Sequence, residues 1–234
     1  MRFEQKLLEG TLLRRLKRSE AVVRLRDGNE ITAHCVNPGS LTGCAEPGSR
    51  VLLSERPNPH RRYPHQLEIS YAGRTAVGVH AGRPITLATE AIMEGKIGAL
   101  MGYATLRSDP KSLRVDGVDF VLEGNGLRSC FICVKSVSMA YEGIAYYPDT
   151  VMSKGPARLT ALTDLVREGQ RAMMIFMVLR NDVESFRPAD HIDADYAVAF
   201  RDAVARGVET LCFRAKVTRK GIELDKPIPI DLGD

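Results

Sequence analysis

Asp119 lies in Val115–Glu123 and Lys135 in Ser129–Val137, two stretches rich in aliphatic and β-branched residues that read as neighbouring strands. Along the second, Cys133, Lys135 and Val137 share one face, while Ile132, Val134 and Ser136 share the other. An acid and a base embedded in apolar sequence fit two chemistries. They can neutralise each other as an ion pair. Alternatively, Asp119 holds a divalent ion, Mg2+ or Mn2+, and Lys135 binds a phosphate or positions a water. Glu90 precedes Met93 by three residues and Ile97 by seven, so it continues the apolar stripe of an expected helix. It is either a second carboxylate converging on the same site or a first-turn acid that suits the helix dipole.

The elements that must position these groups fall into two regions. In residues 1–80, Thr11–Lys17, Ala21–Arg26, Glu30–Cys35, Arg50–Ser54, His65–Tyr71 and Thr75–Val79 read as short strands. Asp27-Gly28 marks a hairpin turn, and Leu67, Ile69 and Tyr71 are expected to point inward. Short strands so closely spaced favour a small closed barrel, because closure removes exposed edges. Beyond Gly82-Arg83-Pro84 the pattern alternates. A helix is expected over Leu87–Met101 with Met93, Ile97, Leu100 and Met101 on one face. The strand pair carrying Asp119 and Lys135 follows, joined by a turn at Gly124-Asn125-Gly126. Next come a helix near Ala157–Arg167, an unalternating apolar strand at Ala172–Leu179, a helix near Ala194–Arg206 and a strand at Val208–Val217. The unalternating run marks a central strand covered on both faces, and the sum is an α/β layer. Two domains are therefore expected, 1–82 and 83–234.

The chain has 234 residues, 44% hydrophobic and 26% charged, in the ordinary globular range. Its longest apolar run, Ala172–Leu179, is far short of the ~18 residues a membrane span needs. The charged N-terminus has no signal-peptide core, and a soluble, cytoplasmic protein without membrane contact is expected. Residues 1–80 hold 13 Lys and Arg against 8 Asp and Glu, and the remainder 20 against 21. A basic first part either faces a polyanion or is a solvated surface. Five cysteines, an odd number, argue against a closed disulfide framework. Cys130 and Cys133 form a CxxC, but three residues apart on a strand they point to opposite faces and cannot share a metal. No second CxxC completes a zinc site.

Several segments, in order, resemble the sugar fermentation stimulation protein A family. They are His34 to Cys44 (HCVNPGSLTGC), Tyr63-Pro64-His65, Asp119-Phe120, Ile132 to Val137 (ICVKSV), Tyr147-Pro148-Asp149 and Phe186 to Asp193 (FRPADHID). The resemblance runs from about residue 10 to residue 217. It implies an α/β protein in which an OB-like barrel precedes a restriction-endonuclease-like domain of the PD-(D/E)xK type. It also implies DNA binding and a link, by name, to the regulation of sugar, notably maltose, metabolism. Asp119 would be the Asp of the nuclease motif, Lys135 its Lys, and Glu90 the accessory helical carboxylate. Two departures stand out. Cys133 occupies the place of the family's Glu two residues before the Lys, and a neutral thiol is a poor ligand for magnesium or manganese. Pro156 stands where the family's helix start carries Gln, and the family's His is absent as well.

For DNA, Arg14, Arg15, Lys17 and Arg18 cluster around the first strand, and Arg56, Arg61 and Arg62 around a loop with His60, Tyr63 and His65. Such groups suit phosphate contacts. The loop from Asn37 through Gly39 to Gly43 either presents backbone N–H groups to a phosphate or has its glycines for tight turns. Residues 1–80 contain only Phe3, Tyr63 and Tyr71 as aromatics, too few to stack a single strand, so duplex DNA is favoured. The expected function is DNA binding of low sequence specificity beside a nuclease-like domain impaired at Cys133. The alternative is an active metal-dependent DNA phosphodiesterase using Asp119, Glu90 and Lys135.

Overall fold

The computed structural model describes residues 1–56, 62–108 and 115–233. Its first sheet contains β1 (Leu8–Leu16), β2 (Glu20–Leu25), β3 (Glu30–His34), β4 (Arg50–Glu55), β5 (His65–Ala72) and β6 (Thr75–Gly78). The order is β3-β2-β1-β4-β5-β6, and the His34–Gln66 pairing joins β3 to β5 and closes the barrel. Asp27 and Gly28 turn β2 into β3, with Gly28 at φ +90°. Leu12, Val23, Ala33, Leu53 and Leu67 fill the interior.

Leu67, Ile69 and Tyr71 are all buried, but not in one core. The register slips between Leu52 and Leu53 as β4 pairs with β5, a bulge that re-aims the side chains beyond it. Leu67 faces the barrel interior, whereas Leu52, Ile69 and Tyr71 pack with the second region. The two regions therefore share an apolar core.

That second region holds α1 (Arg83–Met93), β7 (Thr105–Arg107), β8 (Phe120–Glu123), β9 (Cys130–Val137), β10 (Ala140–Tyr141), β11 (Ile144–Tyr147), α2 (Gly155–Arg167), β12 (Arg171–Val178), β13 (Ser185–Pro188), α3 (Ala194–Ala205), β14 (Glu209–Thr218) and β15 (Gly221–Pro227). The large sheet runs β15-β14-β12-β9-β8-β7, and β9, β12 and β14 are parallel. A small sheet, β10-β11-β13, lies beside it. β12 is buried along nearly its whole length, as expected of a central parallel strand. Leu87, Ala88 and Ala91 of α1 cover the sheet face that carries Phe120, Ile132 and Val134. Leu159 and Leu162 of α2 and Phe200 of α3 cover the other, with Val121, Cys133 and Val137.

The helix expected to reach Met101 ends at Met93. Lys96 N–H donates to Ala91 O and Gly95 N–H to Ile92 O, with Gly95 at φ +66°, a Schellman stop that only a residue tolerant of the left-handed region closes well. Met93 and Met101 consequently face solvent, 73% and 64% exposed, while Ile97 and Leu100 are buried beyond the stop. The strand expected from Val115 begins only at Phe120, because Val118 N–H folds back to Val115 O in a turn through Gly117.

Candidate functional site

Asp119 sits one residue ahead of β8 and is already tied to β9. Its N–H donates to Ile132 O at 2.8 Å, and its Oδ2 accepts the Val134 N–H at 2.7 Å. This bracket places the carboxylate on the same sheet face as Cys133 and Lys135. Tyr147 of β11, Arg158 of α2 and Tyr196 of α3 close over them. Cys133 Sγ donates to Gly117 O at 2.8 Å, so the thiol points at the turn that precedes Asp119. Arg158 reaches across Gly117 to Asp116 at 3.2 Å. The space left among Cys133, Lys135, Gly155, Arg158 and Tyr196 is about 10 Å³, enough for about one water. Tyr196 Oη, buried there, has no hydrogen-bond partner among the described residues.

Burial raises the Asp119 carboxyl above its ordinary value, against the pull of the Val134 N–H and Lys135. Burial likewise pushes the Cys133 thiol up, and the nearby Lys135 does not reverse it. Burial works against the Lys135 ammonium, yet Cys133, Tyr147 and, less strongly, Asp119 hold it above the ordinary lysine value. At neutral pH the site therefore holds a protonated thiol and an ammonium beside the Asp119 carboxyl. The donor set does not fit Mg2+ or Mn2+, which require several hard oxygen ligands. Asp119 offers one carboxylate already engaged by an amide, and no three of His, Cys, Asp and Glu converge among the described residues.

Glu90 does not join this site. It lies on α1, across the sheet from Cys133 and Lys135, and its carboxylate pairs with the Met1 amino group at 2.7 Å. Helical spacing placed it on the sheet-facing stripe, but which face of the sheet a helix covers is set by the crossover. The expected convergence of Glu90 with Asp119 is overturned.

On the barrel the basic cluster separates into two kinds of residue. Arg14, Lys17 and Arg18 are exposed, and neither Arg14 nor Lys17 has an acidic partner among the described residues. Arg18 makes one long hydrogen bond, to Pro38 O at 3.3 Å. Arg15 differs: its guanidinium donates to Ser40 O at 2.7 Å, Arg18 O at 3.0 Å, Asn37 O at 3.1 Å and Gly39 O at 3.1 Å. It is a clamp on the loop, not a phosphate contact. The loop itself is inward-looking. Asn37, 8% exposed, donates to Val79 O and accepts the Gly39 N–H at 2.9 Å, and Leu41 N–H goes to Asp149 Oδ2. The expectation that Asn37 and Gly39 offer N–H groups to a phosphate is therefore corrected. Arg62 is exposed, pairs with Glu20 at 3.2 Å and lies over the Tyr63 ring. Arg61 and His60 lie outside the described residues.

Asp149, which ends the Tyr147-Pro148-Asp149 segment, joins the two regions. It accepts Leu41 N–H at 2.9 Å, and its backbone oxygen accepts a close hydrogen bond from Ser40 Oγ. A cleft of about 370 Å³ opens at this junction, with Arg18, Pro38 and Gly39 on one wall and Ser136, Tyr147 and Met152 on the other. It adjoins the pocket of Cys133 and Lys135 through Met152, which lines both.

Two family descriptions match the chain, "SfsA N-terminal OB domain" over residues 13–79 and "Sugar fermentation stimulation protein RE domain" over residues 82–221. The chain belongs to the sugar fermentation stimulation protein family. A family homolog from Geobacter sp. (strain M21) is 41% identical over 231 residues, covering 98% of this chain and 99% of the relative. One from Thioalkalivibrio sulfidiphilus (strain HL-EbGR7) is 43% identical over 234 residues, covering 99% and 98%. The solved structure described as Pyrococcus furiosus SfsA in complex with Ca2+ superposes with a TM-score of 0.86. It is 22% identical and covers 99% of this chain and 98% of that one; at that identity the likeness establishes the fold. Among the described residues no helix is long and apolar enough to cross a membrane.

Proposed function

We propose that this family member is a cytoplasmic DNA-binding protein of low sequence specificity whose PD-(D/E)xK nuclease-like domain lacks a working metal site. Cys133 carries the reading. Asp119 and Lys135 stand together as a phosphodiesterase would need, but the residue between them is a protonated thiol turned to Gly117 O at 2.8 Å. The relative from Pyrococcus furiosus is described with Ca2+, which supports an ancestral cation site in this fold that Cys133 has emptied of its second carboxylate. Arg14, Lys17 and Arg18 supply phosphate contacts, and Arg18 stands in the wall of the cleft beside Asp149, which adjoins the Lys135 pocket through Met152. Such a protein holds duplex DNA without cutting it, a property suited to regulation of the sugar metabolism for which the family is named.

The test is fluorescence anisotropy of a labelled random duplex across a salt series, with and without magnesium. About three phosphate contacts predict that log K falls with log salt at a slope near −3. The duplex should stay intact with the metal present. No binding at low salt overturns the DNA reading. Cleavage by the wild type that Asp119→Ala abolishes would establish instead the second reading, an active metal-dependent DNA phosphodiesterase, which the adjacency of Asp119 and Lys135 favours.

A further inference from the structure

The barrel carries a second cleft, of about 580 Å³, with Glu20, Arg56, Arg62, Tyr63, Gln66 and His80 in its walls. That volume is in the range of small-molecule sites. Its walls are unusually well specified. Gln66 is 4% exposed, and its side-chain amide abuts the His80 ring. His80 Nδ1 accepts the Gly82 N–H at 3.0 Å, and its Nε2 meets the Gln66 side-chain amide nitrogen. The Gln66 Oε1 is a buried acceptor without a partner among the described residues. At the mouth the half-exposed Tyr63 ring lies under the Arg62 guanidinium at 5.1 Å, and Arg56 is exposed beside it.

A buried amide, one accessible aromatic face and two cations, of which Arg62 is shared with Glu20, together match a planar polar ring attached to a phosphate. Stacking a whole strand would take several aromatics. The barrel presents one at this place, since Tyr71 is buried under Arg50. We infer that the cleft accepts a single unpaired nucleotide at a strand end or gap, its base on Tyr63 and edge toward Gln66, its phosphate on Arg56 and Arg62. This rests on the nucleic-acid reading above and refines it: the protein recognises duplex DNA by its backbone and a frayed or broken end by one base.

The experiment compares the full chain binding a blunt duplex with the same duplex carrying one unpaired 3′ or 5′ nucleotide, by anisotropy at fixed salt, with dTMP as competitor. The overhang should tighten binding about tenfold, the scale of one base–aromatic stack. Tyr63→Ala should erase that increment and leave blunt-duplex affinity unchanged, while Tyr63→Phe keeps it. Millimolar dTMP should compete away only the increment. Equal affinity for blunt and overhanging duplexes, or an increment that survives Tyr63→Ala, overturns the inference. So does dTMP binding as tightly as the overhang, which would make a free nucleotide the ligand. Overhang-dependent binding without blunt-duplex binding would instead sink the duplex reading and keep this one.

Discussion

The Leu41 N–H donates to Asp149 Oδ2 at 2.9 Å, linking residues 108 apart in sequence. A Cβ on Gly39 would lie 2.6 Å from both Asp149 carboxylate oxygens and 2.9 Å from Asn37 Oδ1. Glycine is needed there for closeness, not for its φ. Gly39→Ala should therefore destabilise the fold by about 1–3 kcal/mol through overpacking, and Asp149→Ala by about as much through loss of a charge-assisted hydrogen bond. The double variant should cost less than the sum, because removing Asp149 makes room for the methyl. Urea unfolding of the four proteins measures the coupling; strict additivity would show that the two residues do not press on each other.

Arg15 and Arg14 are adjacent in sequence and differ in role. Arg15→Ala removes hydrogen bonds to four carbonyls, and should lower stability by about 2 kcal/mol or more. Arg14→Ala touches none of these and should leave the melting temperature within about a degree, while weakening duplex binding and reducing the salt slope by about 1. A melting temperature that falls equally in both variants would contradict the distinction.

Asp119 makes no direct ion pair with Lys135, and its titration tests whether burial or the longer-range pull of that ammonium decides its effect on stability. Its folded pKa is raised by burial. The unfolded chain thus loses its proton first as pH rises, and the stability contributed by the protonated acid is present below about 3.8 and lost as pH rises through the folded value. At neutral pH the carboxylate works against folding. Asp119→Asn, which keeps an oxygen for the Val134 N–H, should match or exceed the wild type in thermal stability at pH 7. A loss of more than about 1 kcal/mol would mean that attraction to Lys135 dominates and the pair is structural.

Replacing Cys133 by Glu should reverse the metal result. In a space of about 10 Å³ the longer, charged side chain should destabilise the apo protein by about 1–3 kcal/mol. Millimolar Mg2+ or Mn2+ should then raise the variant's melting temperature by binding the folded state, and chelation should remove the gain. The wild type should show neither response. A wild-type shift as large as the variant's would mean that the thiol does not impair the site.

Acid should loosen the barrel through His80, whose imidazole burial pushes down to about 4 from 6.5. The unfolded chain takes up a proton near pH 6.5 that the folded chain resists until about 4. The associated stability is fully present above about pH 6.5 and lost as pH falls toward 4, at most about 3 kcal/mol. Glu68 adds to the same direction. Burial opposes its ionisation, but the Arg83 guanidinium, 2.8 Å away, holds it below the ordinary value. His80→Gln should flatten the stability curve between pH 7 and 5 relative to the wild type. Curves of equal steepness would remove His80 from the explanation.

Strand alternation is a local rule, and it placed Cys130 and Cys133 on opposite faces of β9, where the structure has them in different cores. Unalternating apolarity likewise marked β12. Helical periodicity was less reliable at an end: the stripe through Met93 and Met101 ignored Gly95, whose left-handed φ stops α1. The β4–β5 bulge left no mark in the hydrophobic pattern, because residues on both faces of β5 are buried.

The individual strands of the barrel and the sheet, the side of β9 that carries Lys135, and the thiol at 133 are legible in the sequence, since each depends on residues one to four apart; closure of the barrel rests on the distant pairing of His34 with Gln66. Only the tertiary structure decided that Glu90 lies across the sheet beside the Met1 amino group, that Arg15 clamps Asn37–Ser40, and that Asp149 holds Leu41. Those outcomes depend on crossovers and on segments 20 to 110 residues apart. A charged group takes the nearest partner that the folded chain brings to it, and charge alone does not reveal whether that partner is a backbone carbonyl, a carboxylate or a phosphate.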